Sequence, residues 1–184
     1  MKTTLYYLML LVLLTNCSKD KKIIKEKLSE NNPFNVSLNE LIDYAQVNGD
    51  DIVEYVNVTM QNAIIDINDI KAIKMPTFEN TFTAFDKIYE SLSKANNNAF
   101  MLYWASTDSV SRAKGLEYSK RIDSLNTVIN SDKELYQQFE TFSTSEDYKN
   151  LIGPKKLLVD DIIQGFKLSG VTLDDDKLEV FKKL

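Results

Sequence analysis

The chain of 184 residues contains no histidine and a single cysteine, Cys17. Without histidine it cannot carry a His-Glu-x-x-His zinc motif or a serine–histidine or cysteine–histidine catalytic couple. One cysteine excludes a disulfide within the chain. A glycine-rich phosphate loop is also missing. A zinc site built from this chain alone would therefore have to use carboxylates or Cys17.

Breakers and basic residues are scarce as well. Only five glycines and three prolines interrupt the chain, which favours long uninterrupted segments. Lys and Arg number 22 against 27 Asp and Glu, giving a net charge of −5, and no basic stripe stands out, so nucleic acid is not an expected partner. A 43% hydrophobic composition over this length predicts a globular domain with its own core.

The N-terminus has the pattern of a targeting segment. Lys2 precedes an unbroken apolar run over residues 5–14, "LYYLMLLVLL", which is too short to span a bilayer as a stable helix. The following "LTNC" resembles a bacterial lipobox, although Asn16 departs from the usual small residue. This pattern predicts a lipoprotein signal peptide over 1–16, lipid attachment at Cys17 and a location in the bacterial cell envelope. An ordinary secretory signal and an uncut membrane anchor are the alternatives.

Residues 17–31 read as a charged tether, and the rest of the chain, 32–184, reads as helix after helix. Apolar residues recur in steps of three and four over 51–73, about 78–106 and 108–130. Shorter helices are expected after Ser131, over 155–169 and from Asp174. Neither a strand alternation nor a hairpin turn is present. The sequence thus predicts an all-α array of long antiparallel amphipathic helices.

Capping residues define most of the expected helix ends. Asn48 and Thr77 are candidate N-caps, and Ser131 with Glu134 forms a candidate capping box. Pro154 suits a first helical turn and Gly170 a C-terminal cap. The predicted inward positions of the helix over 108–130 are Val110, Ala113, Leu116, Ile122, Leu125 and Ile129.

The last predicted helix carries an apolar stripe up to the final residue. Leu178, Phe181 and Leu184 lie on one face with no cap after them. This pattern predicts a helix cut within the element, with an exposed stripe, in a fragment of marginal stability. The alternative is a C-terminal helix that docks its last leucine.

The segment "MPTFENTFTAFDKI", residues 75–88, combines a proline, a cap and three phenylalanines. Phe78, Phe82 and Phe85 are four and three residues apart and share one helix face. Thr77 can accept a hydrogen bond from the backbone N–H of Glu79 or Asn80. No nucleophile, general base or metal ligand stands out in it, so its physical role is a capped, aromatic-faced helix start.

The same segment closely resembles a block in the N-terminal region of the thimet oligopeptidase, oligopeptidase A and peptidyl-dipeptidase family of zinc metallopeptidases. The shared pattern is Pro-x-Phe-x-Asn-Thr, here Pro76, Phe78, Asn80 and Thr81. Four further blocks resemble the family in order, so the likeness covers about residues 32–184. They are Asn32-Pro33-Phe34, "LIDYAQVNGDDIVEYVNVTMQNAIIDINDI", "LYQQFETF" and "LVDDIIQGFKLSGVTLDDDKLEVFKKL".

The resemblance implies a helical clamshell around a deep channel that admits short peptides, with the N-terminal helices forming one wall. It also implies zinc held by two histidines and a glutamate, which in this reading lie beyond Leu184. This chain itself would contain no catalytic and no metal residues and would be inactive alone. The alternative is a complete, non-catalytic helical lipoprotein that acts as a peptide- or protein-binding module.

Carboxylates are the only other candidates for chemistry. Glu54 with Asp51, and Glu79 with Asp86, could be imagined as acid–base pairs, but nothing distinguishes them from a solvated helix face. The run from Asp174 to Asp176 lies at a helix start, where consecutive side chains point in different directions. A solvated cap is therefore favoured over a metal site.

Overall fold

The structure is a computed structural model that describes residues 24–37 and 40–182. The predicted signal peptide, Cys17 and Leu184 lie outside the described residues. Within them the chain is all-α, as the sequence predicts, and contains no strand. The elements are α1 (Gly49–Lys71), a π-helical segment (Phe78–Thr83), α2 (Ala84–Ala105), α3 (Ser109–Asn130), α4 (Lys133–Ser143), α5 (Glu146–Lys149), α6 (Gly153–Leu168) and α7 (Asp175–Phe181).

The three longest helices form an array in which each helix runs antiparallel to the one before it in the chain. Gly49, at the start of α1, lies against Val110 and Lys114 near the start of α3. Lys71, at the end of α1, pairs with Asp132 just after α3 at 2.8 Å. Helices α1 and α3 are therefore parallel, and α2 runs antiparallel to both. No helix in the described part of the chain is long and apolar enough to cross a membrane.

The shorter helices pack against the end of this array where α2 begins. Phe82 and Phe85 reach inward from that end, and Phe85 meets Phe139 of α4 at 5.1 Å and Phe166 of α6 at 5.6 Å between ring centroids. Offset and edge-on aromatic contacts of this kind add stability beyond their buried area. Because these rings interlock, α4 and α6 are fixed to the start of α2. The fully buried aromatic residues are Phe82, Phe139, Phe142 and Phe166.

Several predicted caps are confirmed. Asn48 and Asp51 form a capping box at the start of α1. Gly170 has φ of 79°, and its N–H donates to the Lys167 carbonyl at 3.1 Å. The next N–H, from Val171, donates to the Phe166 carbonyl at 3.4 Å. These two bonds define a Schellman motif, which ends α6.

The predicted capping box at Ser131 is wrong by one residue. Asp132 is the N-cap of α4, and its carboxylate accepts from the Leu135 N–H at 2.9 Å. The Ser131 hydroxyl instead donates back to the carbonyl of Thr127 at 2.8 Å. Glu134 pairs with Lys71 at 2.8 Å rather than with a cap backbone. The salt bridge of Lys71 to α4 thus replaces the reciprocal cap.

The predicted inward face of α3 is also wrong in its first half. Val110 and Ala113 are exposed, and Leu116 is only half-buried. The helix instead turns Ser111, Gly115 and other small or polar residues toward its neighbours. Gly115 lies directly against the α2 backbone, where an added Cβ would overlap the Ala99 carbonyl oxygen and lie 2.8 Å from the Tyr103 nitrogen. The buried residues of α3 are Ser111, Gly115, Tyr118, Ser119, Ile122 and Ile129.

Helix α2 does not begin as an α-helix. Thr77 is the N-cap, as predicted, and its hydroxyl accepts from the Asn80 N–H at 3.1 Å. Asn80 returns the bond, accepting from the Thr77 N–H at 2.7 Å. The six residues that follow the cap form a π-helical segment. In this wider turn Phe78 and Phe82 stack at 6.3 Å, and Thr81 and Phe82 are both fully buried.

The apolar stripe of α7 is only partly docked in its described part, since Leu178 is buried while Phe181 stays exposed. Leu178 is 4% exposed, which corrects the expectation that it lies open. Phe181 is 43% exposed, but its ring lies close to Gly170, where an added Cβ would meet the ring at 3.1 Å. Lys133 holds the start of α7, donating to Asp175 at 2.6 Å and to the Leu173 carbonyl at 2.8 Å.

Candidate functional site

A groove of about 680 Å³ runs between the C-terminal half of α1 and the start of α2. Its floor is apolar, because the buried side chains of Ala63, Ile70 and Ile88 meet there. Its walls are polar and carry hydroxyl, amide, carboxylate and ammonium groups. An apolar floor with a few polar groups on the walls is the usual composition of a ligand site. The polar wall residues are Tyr55, Thr59, Asn62, Asp66, Asp69, Glu79, Asn80, Lys87 and Ser91, with Lys25 at the rim.

Some of the charged groups that line the groove form ion pairs with described residues, and others do not. Lys25 pairs with Asp66 at 2.6 Å, and Glu79 pairs with Lys155 at 3.3 Å. Among the described residues, neither Asp69 of α1 nor Lys87 of α2 has an ion-pair partner. One carboxylate and one ammonium group thus stand on opposite walls of the groove. This arrangement suits a ligand that carries both charges.

An extended stretch of the chain itself lies along α1 beside this groove. The Asn62 side chain accepts from the Glu26 N–H and donates to the Glu26 carbonyl, both at 2.9 Å. Three residues further on, Glu54 accepts from the backbone N–H of Ser29 at 2.8 Å and from its hydroxyl at 2.9 Å. Residues 25–32 therefore run antiparallel to α1, held by one row of polar side chains. Ordered contacts begin within the segment predicted as a tether.

The Asn32-Pro33-Phe34 block fixes the end of this stretch. Asn32 is buried, and its amide donates to the Asp51 carbonyl at 3.0 Å and to Glu54 at 2.9 Å. Phe34 stacks on Tyr55 at 4.5 Å, at the edge of the groove. Hydrogen bonds from Asn32 and then Ser29 hold the pKa of Glu54 below its usual value. Burial raises the pKa of the Tyr55 hydroxyl above its usual value.

The segment over residues 75–88 forms the wall of the groove on the α2 side. Its phenylalanines point into the core, as the sequence predicts, with Phe82 fully buried and Phe85 5% exposed. Three of its polar residues, Glu79, Asn80 and Lys87, line the groove instead. Asn80 is fixed by its capping bonds and by a donation to the Met75 carbonyl at 3.1 Å. The segment is therefore both a helix start and one side of a cleft.

The remaining carboxylate candidates are not assembled into a chemical site. Asp51 accepts from the Asn48 N–H and Glu54 binds residues 29–32, so each has a structural partner. Asp86 lines a different cavity from Glu79. At the start of α7 the Asp175 side chain is 88% exposed and bound to Lys133. In the part of the chain that the structure describes, no group of three His, Cys, Asp or Glu residues could hold a metal ion.

The chain matches no protein-family model and no curated protein sequence. The resemblance to the oligopeptidase family therefore stays a prediction. The groove itself was not predicted, since its polar residues are spread over two helices and a preceding extended stretch. The alternating steps of four and three residues between Tyr55, Thr59, Asn62, Asp66 and Asp69 of α1 are the one pattern that could have indicated a shared polar face.

Proposed function

We propose that this chain binds short peptides in the groove between α1 and α2. In our proposal it is the N-terminal, non-catalytic helical part of a lipid-anchored zinc metallopeptidase of the oligopeptidase or peptidyl-dipeptidase type. The groove would then belong to one wall of the substrate channel. Cys17 would carry the lipid, and the protein would act at the surface of a membrane in the bacterial cell envelope.

One observation carries the peptide-binding proposal. Helix α1 already holds an extended backbone, because Asn62 pairs with both the N–H and the carbonyl of Glu26. A peptide in the adjacent groove would meet the same kind of polar side chains over an apolar floor. Asp69 would bind its amino terminus and Lys87 its carboxylate, since these charges have no ion-pair partner in the described part of the chain. Backbone pairing of this kind recognises a peptide without demanding a particular sequence.

Zinc chemistry cannot be assigned to residues of this chain. The family motif requires two histidines, and the sequence has none. The catalytic step would therefore use residues beyond Leu184, and these helices would limit access to short peptides. Extending the reading frame past Leu184 tests this part. A downstream His-Glu-x-x-His segment that brings zinc and peptidase activity supports it, and a stop codon in an intact genome removes it.

A second candidate, a peptide-binding module without catalysis, is favoured by the construction of the groove. Both walls and the rim come from residues of this chain, namely from α1, from the start of α2 and from the stretch around Lys25. Peptide binding by this chain alone therefore supports either form of the proposal. Only the downstream sequence separates the two forms.

Peptide binding can be tested with one pair of matched variants. Ser91 lines the groove, and its hydroxyl donates to the Lys87 carbonyl at 2.9 Å. Ser124 of α3 is exposed, is outside the groove lining and makes the same bond to the Lys120 carbonyl at 2.9 Å. Titration of the purified chain with a short fluorescent peptide should give saturable binding. Ser91→Trp should weaken it, and Ser124→Trp should not.

The charges on the two walls provide a second test. Lys87→Gln should weaken the binding of a peptide with a free C-terminal carboxylate by about two- to fivefold, which is the range expected for the loss of one solvent-exposed ion pair. The same variant should bind the C-terminally amidated peptide as tightly as the wild type does. Asp69→Asn should weaken the binding of a peptide with a free amino terminus and should bind the amino-acetylated peptide as tightly as the wild type does. Equal losses for Ser91→Trp and Ser124→Trp, or no binding at all, would overturn the proposal.

A further inference from the structure

A second cavity, of about 320 Å³, opens between α2 and α6, away from the peptide groove. Its floor is built from the buried rings of Phe85 and Phe166, whose centroids are 5.6 Å apart. Ile162 extends this apolar surface. Gly165 lies on the α6 side, where an added Cβ would meet no atom within 4 Å. Space for an added side chain is therefore open on the α6 side of the cavity.

The rim of this cavity is negative. Asp86 of α2 and Asp161 of α6 both line it, and neither forms an ion pair with any described residue. Of the lysines on α6, Lys155 pairs with Glu79 and Lys156 lies 3.8 Å from Asp160, while Lys167 lines a different cavity. Tyr89, 49% exposed, adds an aromatic face at the same rim. Two uncompensated carboxylates beside an aromatic ring favour a cation.

We propose that this cavity binds an organic cation, with an ammonium or guanidinium head on a short apolar stem. The head would lie between the two carboxylates and the face of Tyr89, and the stem would cover Phe85, Phe166 and Ile162. The side chains of lysine and arginine have this chemistry, and so do free alkyl amines. The site is separate from the peptide groove and does not depend on its function.

The composition of the cavity argues against an inorganic cation. Calcium binds six to eight oxygens, and magnesium retains a shell of water. Apart from its two carboxylates and the side chains of Asn130 and Ser169, the cavity is lined mainly by apolar and aromatic groups, which would leave such an ion with too few oxygen ligands. An organic cation uses both parts of the site, because its stem removes apolar surface from water while its head neutralises the rim.

The test is a calorimetric or NMR titration of the full chain with butylguanidinium and butylammonium. Butanol, which has the stem alone, and guanidinium, which has the head alone, are the ligand controls. We expect saturable binding of both whole ligands, about tenfold tighter than either part. Blocked arginine and lysine methylamides, compared with the free alkyl cations, show whether an amino-acid side chain or a free amine is the better ligand.

Variants locate the binding. Gly165→Leu adds an apolar side chain at the cavity, where its Cβ meets no atom within 4 Å, and should weaken binding by about tenfold or more. Asp86→Asn and Asp161→Asn should each weaken it about two- to fivefold. Asp147→Asn, on the exposed surface of α5, is the matched control and should leave binding unchanged. Binding that survives Gly165→Leu in a variant with wild-type thermal stability would overturn the proposal, and so would equal binding of butanol.

Discussion

Replacing Gly115 with alanine tests how closely α2 and α3 approach. The added Cβ would overlap the Ala99 carbonyl oxygen and lie 2.8 Å from the Tyr103 nitrogen. Both are backbone atoms, so no flexible side chain can move aside. The two helices would have to separate, which would also disturb the Ser119–Asn96 hydrogen bond of 2.6 Å between them.

Two opposing effects set the magnitude. Forcing extra atoms into a packed contact costs about 1–3 kcal/mol. Alanine is a better helix former than glycine by about 1 kcal/mol, which offsets part of that cost. The net loss should be about 0–2 kcal/mol. For a chain of this size that corresponds to a fall in Tm of up to about 8 °C.

Gly165→Ala is the matched control, because the same change at that site of α6 meets no atom within 4 Å. It retains only the gain in helix propensity, and Tm should rise by about 1–3 °C. Thermal unfolding followed by circular dichroism at 222 nm, a wavelength that reports helix, measures both variants. A Gly115→Ala chain as stable as Gly165→Ala would refute the close approach of the two helices.

Two further predictions concern the contacts of Glu54, and a third concerns the predicted lipid attachment at Cys17. Glu54→Ala removes the acceptor of three hydrogen bonds from Ser29 and Asn32, so residues 25–32 should become sensitive to limited proteolysis and the free energy of unfolding should fall by about 1.5–3 kcal/mol. Because the pKa of Glu54 is lowered in the fold, ionised Glu54 stabilises the folded state fully above the ordinary glutamate pKa of about 4.3, and this stabilisation is lost as the pH falls through the folded pKa. Glu54→Gln should therefore reduce the acid-induced loss of stability. Cys17→Ser should release the protein from membranes and abolish acylation measured by mass spectrometry; unchanged membrane association would contradict the lipid anchor.

Much of the fold could be predicted because it depends on local spacing. The stripe of α1 is confirmed, and so is the one that runs from the π-helical segment into α2, since a wide apolar face packs inward. Their fully buried members include Ile52, Val56, Phe82 and Leu92. The failures have equally local causes. Hydrophobic periodicity gives no weight to glycine and serine. It therefore predicted that Val110 faces the core, whereas the contact of α3 with α2 depends on Gly115. It also cannot distinguish the π-helical turn after Thr77 from an α-helical one.

The groove could not be predicted from the sequence, for a different reason. Its floor and walls combine residues from α1, α2 and the stretch at Lys25, and no pattern along the chain relates them. The segment over residues 75–88 was correctly predicted to be a capped, aromatic-faced helix start. Its polar residues Glu79 and Asn80 face the groove, which only the packing of α2 against α1 determines.

The most direct test of peptide binding is chemical-shift mapping of the isotopically labelled full chain with a short peptide. Peptide binding in the groove should give saturable shifts at the backbone amides of Asn62, Asp69, Ala84 and Ser91, which line the groove. Ser91→Trp should weaken these shifts, and the amide of Ser124 on α3 should change little. Absent shifts at saturating peptide, or shifts confined to residues outside the groove, would contradict peptide binding in the groove.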